Sequence, residues 1–211
     1  MRKLFDIDSP LLAFLSHVMD AILINLLVIV CSLPLVTVGA AITAANKAVQ
    51  SVIFDTDTHI FRVYFTEFRN SIKRGILSGL LFLLACCVLI CDFIWIYNHA
   101  AGMAGLLLYI LLTILLILVI SVFMHLYLLM ARYDNSLRAH LYNAFALSVA
   151  NPIRTLLLVI LHALPLLIFL FSPSMFFRLI PVFLCIYPTI PIYVTNNLTR
   201  RTLLQLESQA T

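Results

Sequence analysis

Residues 104–130 read AGLLLYILLTILLILVISVFMHLYLLM and contain no aspartate, glutamate, lysine or arginine. A helix of roughly 20 apolar residues is long enough to cross the hydrocarbon core of a bilayer. The stretch therefore predicts a transmembrane helix. Similar apolar stretches occur along the rest of the chain, and we expect six spans, at about 11–33, 35–54, 75–97, 104–130, 154–171 and 176–195.

The composition of the whole chain agrees with this prediction. Of the 211 residues, 64% are hydrophobic and 10% are charged, whereas a soluble domain averages about 25% charged residues. A water-soluble globule and a disordered chain are both excluded. Because six spans leave little chain for an extramembrane domain, we predict one integral membrane domain over residues 1–211. Its fold class is an all-α bundle of three transmembrane hairpins in the lipid bilayer.

The first two spans meet at a proline. The first, from Leu11 to Leu33, is longer than the roughly 7–15 apolar residues of a cleaved signal peptide, so we expect it to be retained as a span. Pro34 cannot donate the N–H that a continuing helix uses, which favours a tight turn over one bent helix. The second span is the most polar of the six and carries Thr37, Thr43, Asn46, Lys47 and Gln50.

The basic residues predict the orientation in the membrane. If the N-terminus is cytoplasmic, both terminal tails and the segments 47–74 and 131–154 lie on the inner side. These regions contain 12 of the 13 lysine and arginine residues, and only Arg178 falls outside them. Since cytoplasmic loops are enriched in lysine and arginine, we predict a multi-pass membrane protein with both termini in the cytoplasm.

The two inner segments have amphipathic patterns. In residues 58–74 one helical face is apolar, with Ile60, Phe61, Tyr64, Phe65, Phe68 and Ile72, and the opposite face carries His59, Arg62, Thr66, Arg69 and Lys73. This pattern predicts a helix that lies in the inner membrane face. Residues 134–151 repeat it more weakly through Leu137, Leu141, Phe145 and Val149, after the helix-start sequence Asp134-Asn135-Ser136. The alternative is that each segment extends the next span.

Five polar residues within the predicted spans form the candidate intramembrane site: Asp20, Asn25, Lys47, His125 and His162. Ionisable groups are costly in hydrocarbon, so each has either a functional or a structural role. Asp20 can meet Lys47 or His125, as an ion-pair anchor or as part of a substrate or proton path. We expect Asn25 to form a hydrogen bond between helices.

Four prolines interrupt the last two spans: Pro165 in the fifth, and Pro181, Pro188 and Pro191 in the sixth. Each removes a helical hydrogen bond and leaves one carbonyl that needs another partner or a wet cavity. The prolines therefore mark either kinks that improve packing or a broken-helix binding site.

The sequence contains no signature of an enzyme, a cofactor site or nucleic-acid binding. It has five glycines and no glycine-rich phosphate loop, and glutamate occurs only at positions 67 and 207. The cluster Cys86-Cys87-x-x-x-Cys91 lacks the further ligands of a metal site. No run of like charges suits nucleic acid. We therefore expect no catalytic residues, no metal and no cofactor.

Several motifs resemble the YesL family of small bacterial membrane proteins. The turn Leu33-Pro-Leu-Val-Thr-Val-Gly-Ala-Ala-Ile-Thr-Ala44 is similar to the family signature, and the inner segment Ile60–Asn70 with Lys73 also matches. Further similarities are Ala131-Arg-Tyr-Asp-Asn135, Asn143-Ala144 and the Pro152-x-Arg154-Thr155 entry. They follow one another in order along most of the chain. The pairs Ala45-Asn46 and Thr58-His59 depart from the family pattern without affecting the expected fold.

This resemblance implies a role in association with a carbohydrate ABC importer. Members of the family typically come from Gram-positive bacteria, and their genes are often next to those of such importers. The expected function is an accessory or regulatory membrane subunit that docks on the permease subunits. Candidate docking residues are Pro34, Gly39, Phe61, Phe65, Phe68, Arg69, Arg132, Asp134 and Arg154. Two alternatives remain: a small secondary transporter or channel, and a membrane scaffold or assembly factor without a small ligand.

Overall fold

The computed structural model of the protein describes residues 10–54, 56 and 59–210, and within these ranges the structure is all-helical. The helices are α1 (Pro10–Cys31), a 3-10 helix (Leu35–Thr37), α2 (Val38–Phe54), α3 (Ile60–His99), α4 (Gly102–Arg132), α5 (Leu137–Ala150), α6 (Pro152–Phe171), α7 (Pro173–Cys185) and α8 (Thr189–Ala210). The predicted all-α membrane bundle is confirmed. The N-terminal tail with Arg2 and Lys3 lies outside the described residues.

Among the described helices, three are long and apolar enough to cross a membrane alone: α3, α4 and α6. A fourth span is possible if α7 and the first part of α8, which meet at a bend of 63°, count as one. Helix α1 has 22 residues, of which the structure describes the side chains of Leu15–Cys31, and α2 has 17 residues, enough for about 25 Å. The count of six spans therefore stays a prediction.

The turn predicted at Pro34 is present. Helix α1 ends at Cys31, and the chain re-enters helical structure through the 3-10 helix Leu35–Thr37. The Thr37 hydroxyl oxygen lies 2.6 Å from the Cys31 carbonyl oxygen and 2.8 Å from the Pro34 carbonyl oxygen. The Thr37 hydroxyl thus reaches the Cys31 carbonyl at the end of α1, while the Pro34 carbonyl also accepts the backbone N–H of Thr37 at 2.9 Å.

Helix α3 joins two elements that the sequence analysis separated. It runs without a break through 40 residues and contains both the predicted inner helix and the predicted span 75–97. Its apolar face packs on α2, where Tyr64 is fully buried and its hydroxyl lies 3.3 Å from the Ala41 carbonyl oxygen. The prediction of a separate helix in the membrane face is wrong for this segment, because the neighbouring helix covers that face. The alternative, an extension of the next span, is correct.

Helix α5 is a separate element, as predicted. Its N-cap is Ser136, whose side-chain oxygen accepts a hydrogen bond of 3.3 Å from the backbone N–H of Ala139. The fully buried positions are His140, Ala144 and Ser148, one residue out of phase with the predicted apolar stripe. The second half of the predicted stripe, Phe145 and Val149, is exposed, and Tyr142 of the same helix is exposed as well. An exposed apolar stripe is the pattern of a helix at a membrane interface.

Helix α2 lies at the centre of the bundle and packs on α1, α3, α4 and α8. Its small side chains allow this: Ala40, Ala41, Ala44, Ala45 and Ala48 are all fully buried. At its first turn Gly39 lies directly against the backbone of Gly75 in α3. Close approach of two helix backbones through small residues is a common way to pack helices in membranes. The small face of α2 is therefore used within the chain.

Candidate functional site

The structure does not bring the predicted intramembrane residues to one place. Asp20 is half-buried on α1, and the titratable side chain that interacts with it is His17 on the same helix. Lys47, on α2, interacts electrostatically with Glu67 of α3 instead. The expected meeting of Asp20 with Lys47 or His125 does not occur in the structure.

The two histidines do come near each other. His125 of α4 is buried, with Nδ1 2.9 Å from the Ser121 carbonyl oxygen and 3.2 Å from the Ser148 hydroxyl oxygen. His162 of α6 has Nδ1 2.9 Å from the Leu158 carbonyl oxygen. The two side chains interact electrostatically. His125 thus connects α4 to α5, whereas His162 contributes to a central cavity described below.

Asn25 forms the hydrogen bond between helices that the sequence predicts. Its side-chain Nδ2 donates to the carbonyl oxygen of Leu184, near the end of α7. In a continuous helix this carbonyl would accept from the N–H of residue 188, but residue 188 is proline and has no N–H. Asn25 therefore supplies the donor that Pro188 lacks.

Tyr187 plays the same role for a second proline. Its hydroxyl donates to the carbonyl oxygen of Leu161 in α6. The helical donor for that carbonyl would be residue 165, which is Pro165. Two proline-released carbonyls are thus satisfied by side chains of other segments. At these two positions the structure favours the interpretation that the prolines are packing kinks rather than open ligand sites.

We predict that the effect of Asn25→Leu depends on Pro188. In the natural chain the substitution leaves the Leu184 carbonyl without a donor and costs about 1–2 kcal/mol in the free energy of unfolding. In a Pro188→Ala background, residue 188 regains its N–H, so the cost should fall by about 1 kcal/mol. Thermal unfolding of the four proteins of this double-mutant cycle, in mild detergent, measures the difference. Equal costs in the two backgrounds would contradict the assignment.

A buried network of uncharged amides connects α2 to α8 and α4. Nδ2 of Asn196 donates to Oδ1 of Asn46 at 2.7 Å, and Nε2 of Gln50 donates to Oδ1 of Asn196 at 2.9 Å. The same Gln50 nitrogen lies 3.2 Å from the Leu128 carbonyl oxygen. The sequence analysis noted Asn46 and Gln50 only as polar residues and missed Asn196, which follows the last predicted span.

A cavity of about 510 Å³ lies between α1, α2, α3, α4, α6 and the bend before α8. Most of the described residues around it are apolar. The polar ones are Ser32, Asn46, Tyr127, His162, Tyr187 and Thr195, and none of the described lining residues is aspartate, glutamate, lysine or arginine. A largely apolar cavity with a few polar groups is the usual form of a small-molecule site. It is the strongest candidate site in the described part of the chain.

The predicted docking residues differ in their exposure. Pro34, Phe61, Arg69 and Asp134 are exposed, Phe65, Phe68, Arg132 and Arg154 are half-buried, and Gly39 is buried. Several of them have partners within the chain. Asp134 accepts a hydrogen bond of 2.8 Å from Arg74, Arg154 donates to the Leu198 carbonyl, and Arg132 lies 4.7 Å from the ring centre of Phe54.

His140 is a buried titratable group on α5, outside the predicted spans. Its side chain is 1% exposed, and its Nε2 has no hydrogen-bond partner. Burial lowers the pKa of His140 below its ordinary value, and the positive charge of Arg74 lowers this pKa further, while Asp134 acts in the opposite direction. The folded protein therefore favours the neutral imidazole more strongly than the unfolded chain does.

We predict that the protein loses stability as the pH falls below about 6.5, the ordinary pKa of histidine. In that range the unfolded chain takes up a proton at His140 that the folded chain does not, so the free energy of unfolding decreases. The measurement is Tm in mild detergent across this range. His140→Gln, which cannot titrate, should show a smaller decrease, and His99→Gln, at an exposed position, should behave like the natural chain. Equal pH dependence with Gln at position 140 would contradict the prediction.

Comparison with known proteins gives one family. Residues 21–93 match a family model described as "Protein of unknown function, DUF624". No curated protein and no solved structure matches the chain. The matched segment contains the second half of α1, all of α2 and most of α3, and thus includes the contact between Gly39 and Gly75. Over this segment, about a third of its length, the chain is similar to the DUF624 family.

Proposed function

We propose that the protein is a non-enzymatic accessory subunit of a carbohydrate ABC importer and a member of the YesL family. It would lie in the bacterial cell membrane with both termini in the cytoplasm. The motifs that resemble the family support this proposal, and the matched segment 21–93 contains two of them. The importer association rests on the genetic context that the family resemblance implies.

The apolar lining of the central cavity is the observation that carries the proposal. A sugar has many hydroxyl groups, and each one that is buried without a hydrogen-bond partner costs free energy. The described walls offer six polar residues, most of which are already bonded within the protein. The cavity is thus poorly suited to a sugar, so a role in sugar uptake is better explained by action on a permease.

The exposed cations of α3 provide a surface for such a contact. Arg62, Arg69 and Lys73 are all exposed, on the face opposite the residues that pack on α2. In the predicted orientation this face belongs to the cytoplasmic side. Because the fold does not bury these cations, they are available to acidic loops of a permease, which they would attract electrostatically.

Co-purification tests the proposal. The chain is purified in mild detergent from its native membranes, and the associated proteins are identified and quantified by mass spectrometry. We expect importer permease subunits in stoichiometric amounts. Reversing the charges with Arg62→Glu, Arg69→Glu and Lys73→Glu should remove them, whereas Arg178→Glu on α7 should not. A single-component sample that moves sugar into liposomes would contradict the proposal.

A second candidate is a small transporter or channel, and the bend of 63° between α7 and α8 favours it. Pro188, in that bend, lines the cavity together with Pro191. Broken helices beside a central cavity occur in transporters. The cavity chemistry then predicts an apolar solute, so uptake of a hydrophobic dye into liposomes would support this candidate.

A further inference from the structure

The size of the central cavity suits a ligand. Its volume of about 510 Å³ lies within the roughly 300–1,000 Å³ of small-molecule sites. A cavity of about 150 Å³ already holds a benzene molecule. Side chains that surround an empty space lose dispersion contacts, which an apolar ligand restores. The hydrocarbon part of a ligand would contact walls such as Val38, Leu83, Ile120 and Phe123.

The polar groups on the α6 and α8 side of the cavity are hydrogen-bond acceptors. A carbonyl oxygen only accepts, so Nδ1 of His162, at 2.9 Å from the Leu158 carbonyl oxygen, carries the hydrogen and Nε2 is left as an acceptor. The hydroxyl of Tyr187 donates to the Leu161 carbonyl, and that of Thr195 donates to the Pro191 carbonyl at 2.7 Å. Because each hydroxyl hydrogen is already donated, the hydroxyl oxygens of Tyr187 and Thr195 can only accept a hydrogen bond from a ligand.

From this geometry we propose that the cavity binds an uncharged, membrane-soluble alcohol, with its hydrocarbon chain on the apolar walls and its hydroxyl toward His162, Tyr187 and Thr195. A set of acceptors needs a donor from the ligand, which an alcohol supplies and a hydrocarbon does not. A carboxylate or phosphate is disfavoured, since none of the described lining residues is lysine or arginine and its charge would be buried without a partner. The site goes beyond the proposed function and does not depend on it.

The ligand can enter from the bilayer. Leu35 and Leu83 both line the cavity, yet they are 75% and 44% exposed. The cavity therefore reaches the apolar surface beside the 3-10 helix. A molecule dissolved in lipid can reach this opening without crossing water.

Competition on the unmodified full chain tests the chemistry of the ligand. The purified protein, in lipid nanodiscs, is photolabelled with dodecanol that carries a diazirine, and the modified peptides are identified by mass spectrometry. We expect labelling of cavity residues and competition by unlabelled dodecanol. Dodecane should compete about 2- to 10-fold less well, the factor that one net hydrogen bond represents. Dodecanoate should compete least, because its charge would be buried without a partner.

Two pairs of variants test the location. Leu83→Trp fills the cavity and should reduce labelling about tenfold, the factor of roughly 1.4 kcal/mol, whereas Leu84→Trp, at the neighbouring exposed position, should not. His162→Leu removes one of the three acceptors and should reduce the preference for dodecanol over dodecane. His162→Asn retains a side-chain acceptor and should keep that preference. If Leu83→Trp does not fold, Ile120→Trp on α4 serves the same purpose.

Three results would overturn the proposal. They are equal competition by dodecane and dodecanol, labelling that maps only to lipid-facing residues, and equal labelling of the folded Leu83→Trp and Leu84→Trp variants. Size-exclusion chromatography establishes that each variant is folded. None of these measurements involves sugar or an importer, so failure here leaves the proposed function unaffected, and the reverse also holds.

Discussion

Gly39→Ala and Gly75→Ala are expected to disrupt the bundle, whereas Gly79→Ala is expected to be tolerated. A Cβ atom at position 39 would overlap the carbonyl oxygen of Gly75. One at position 75 would lie 2.6 Å from Cα and 2.7 Å from Cβ of Ala40. At position 79, by contrast, the nearest atom is the backbone nitrogen of Gly39 at 3.7 Å, an ordinary van der Waals distance.

The expected effects are large because the obstructing atoms belong to backbone. A flexible side chain can move aside, but α2 and α3 would have to separate along their interface. Overpacking costs typically 1–3 kcal/mol, and we expect about 3 kcal/mol or more for each of the two tight positions. Gly79→Ala should change stability little or raise it by about 0.5–1 kcal/mol, since alanine favours helix over glycine.

Thermal unfolding in mild detergent, followed by size-exclusion chromatography, measures these differences. Gly39→Ala and Gly75→Ala should lower Tm strongly or give no monodisperse protein. Gly79→Ala is the matched control, because Gly79 lies one turn after Gly75 on α3. A Tm for Gly39→Ala equal to that of Gly79→Ala would show that α2 and α3 are not in backbone contact.

The glycine contact illustrates what the sequence predicts and what it leaves open. Gly39 and the alanines at positions 40, 41, 44 and 45 give α2 a face of small residues, which can be recognised in the sequence. It did not identify the neighbour, because a small face accepts any helix that can come close. The structure adds Gly75 as the second half of the contact. In the sequence that glycine is an isolated residue at the predicted start of a span.

The length of α3 was missed for a related reason. A change from amphipathic to uniformly apolar sequence near residue 75 was interpreted as a boundary between two elements. The backbone of a helix continues through such a change unless a proline or a capping residue ends it, and residues 60–99 contain no proline. The composition of a helix reflects its environment and not its ends. Along α3 the environment changes from the interface with α2 to lipid. Where a proline was present, at position 34, the break was predicted correctly.

The candidate site was less predictable than the fold. The predicted polar residues each occupy a helix, but periodicity gives only the face of a residue and not its partner across the bundle. The hydrogen bonds of Asn25 and Tyr187 depend on prolines more than 20 residues away in sequence. The sequence does identify the acceptor of each bond, because a proline within a helix leaves the carbonyl four residues earlier without its helical donor. The donor itself is found only in three dimensions.

Asn196→Leu is expected to be the most destabilising change in the amide network, and Asn197→Leu its harmless control. Asn196 is 5% exposed and forms hydrogen bonds with both Asn46 and Gln50. Leucine at this position leaves an oxygen of Asn46 and a nitrogen of Gln50 without these partners. Asn197 is exposed, so its replacement unpairs neither of them.

The size of this effect is set by the groups left behind. A single hydrogen bond between helices in a membrane protein is worth only about 0.6 kcal/mol on average. A buried polar group without a partner costs about 1–3 kcal/mol. After Asn196→Leu the Asn46 oxygen loses its donor and Gln50 Nε2 keeps only the Leu128 carbonyl at 3.2 Å, so we expect a loss of about 1–3 kcal/mol in the free energy of unfolding. Asn197→Leu should stay within about 0.5 kcal/mol of the natural chain.

The triple variant Asn46→Leu, Gln50→Leu and Asn196→Leu separates this explanation from a simple loss of attraction. If the cost comes from unpaired groups, removing all three amides eliminates them, and the triple variant should be more stable than Asn196→Leu alone. If the cost came from lost hydrogen bonds alone, the triple variant should be less stable than Asn196→Leu. Tm values for the two variants, measured under the same detergent conditions, decide between these outcomes, because the two explanations predict opposite orders.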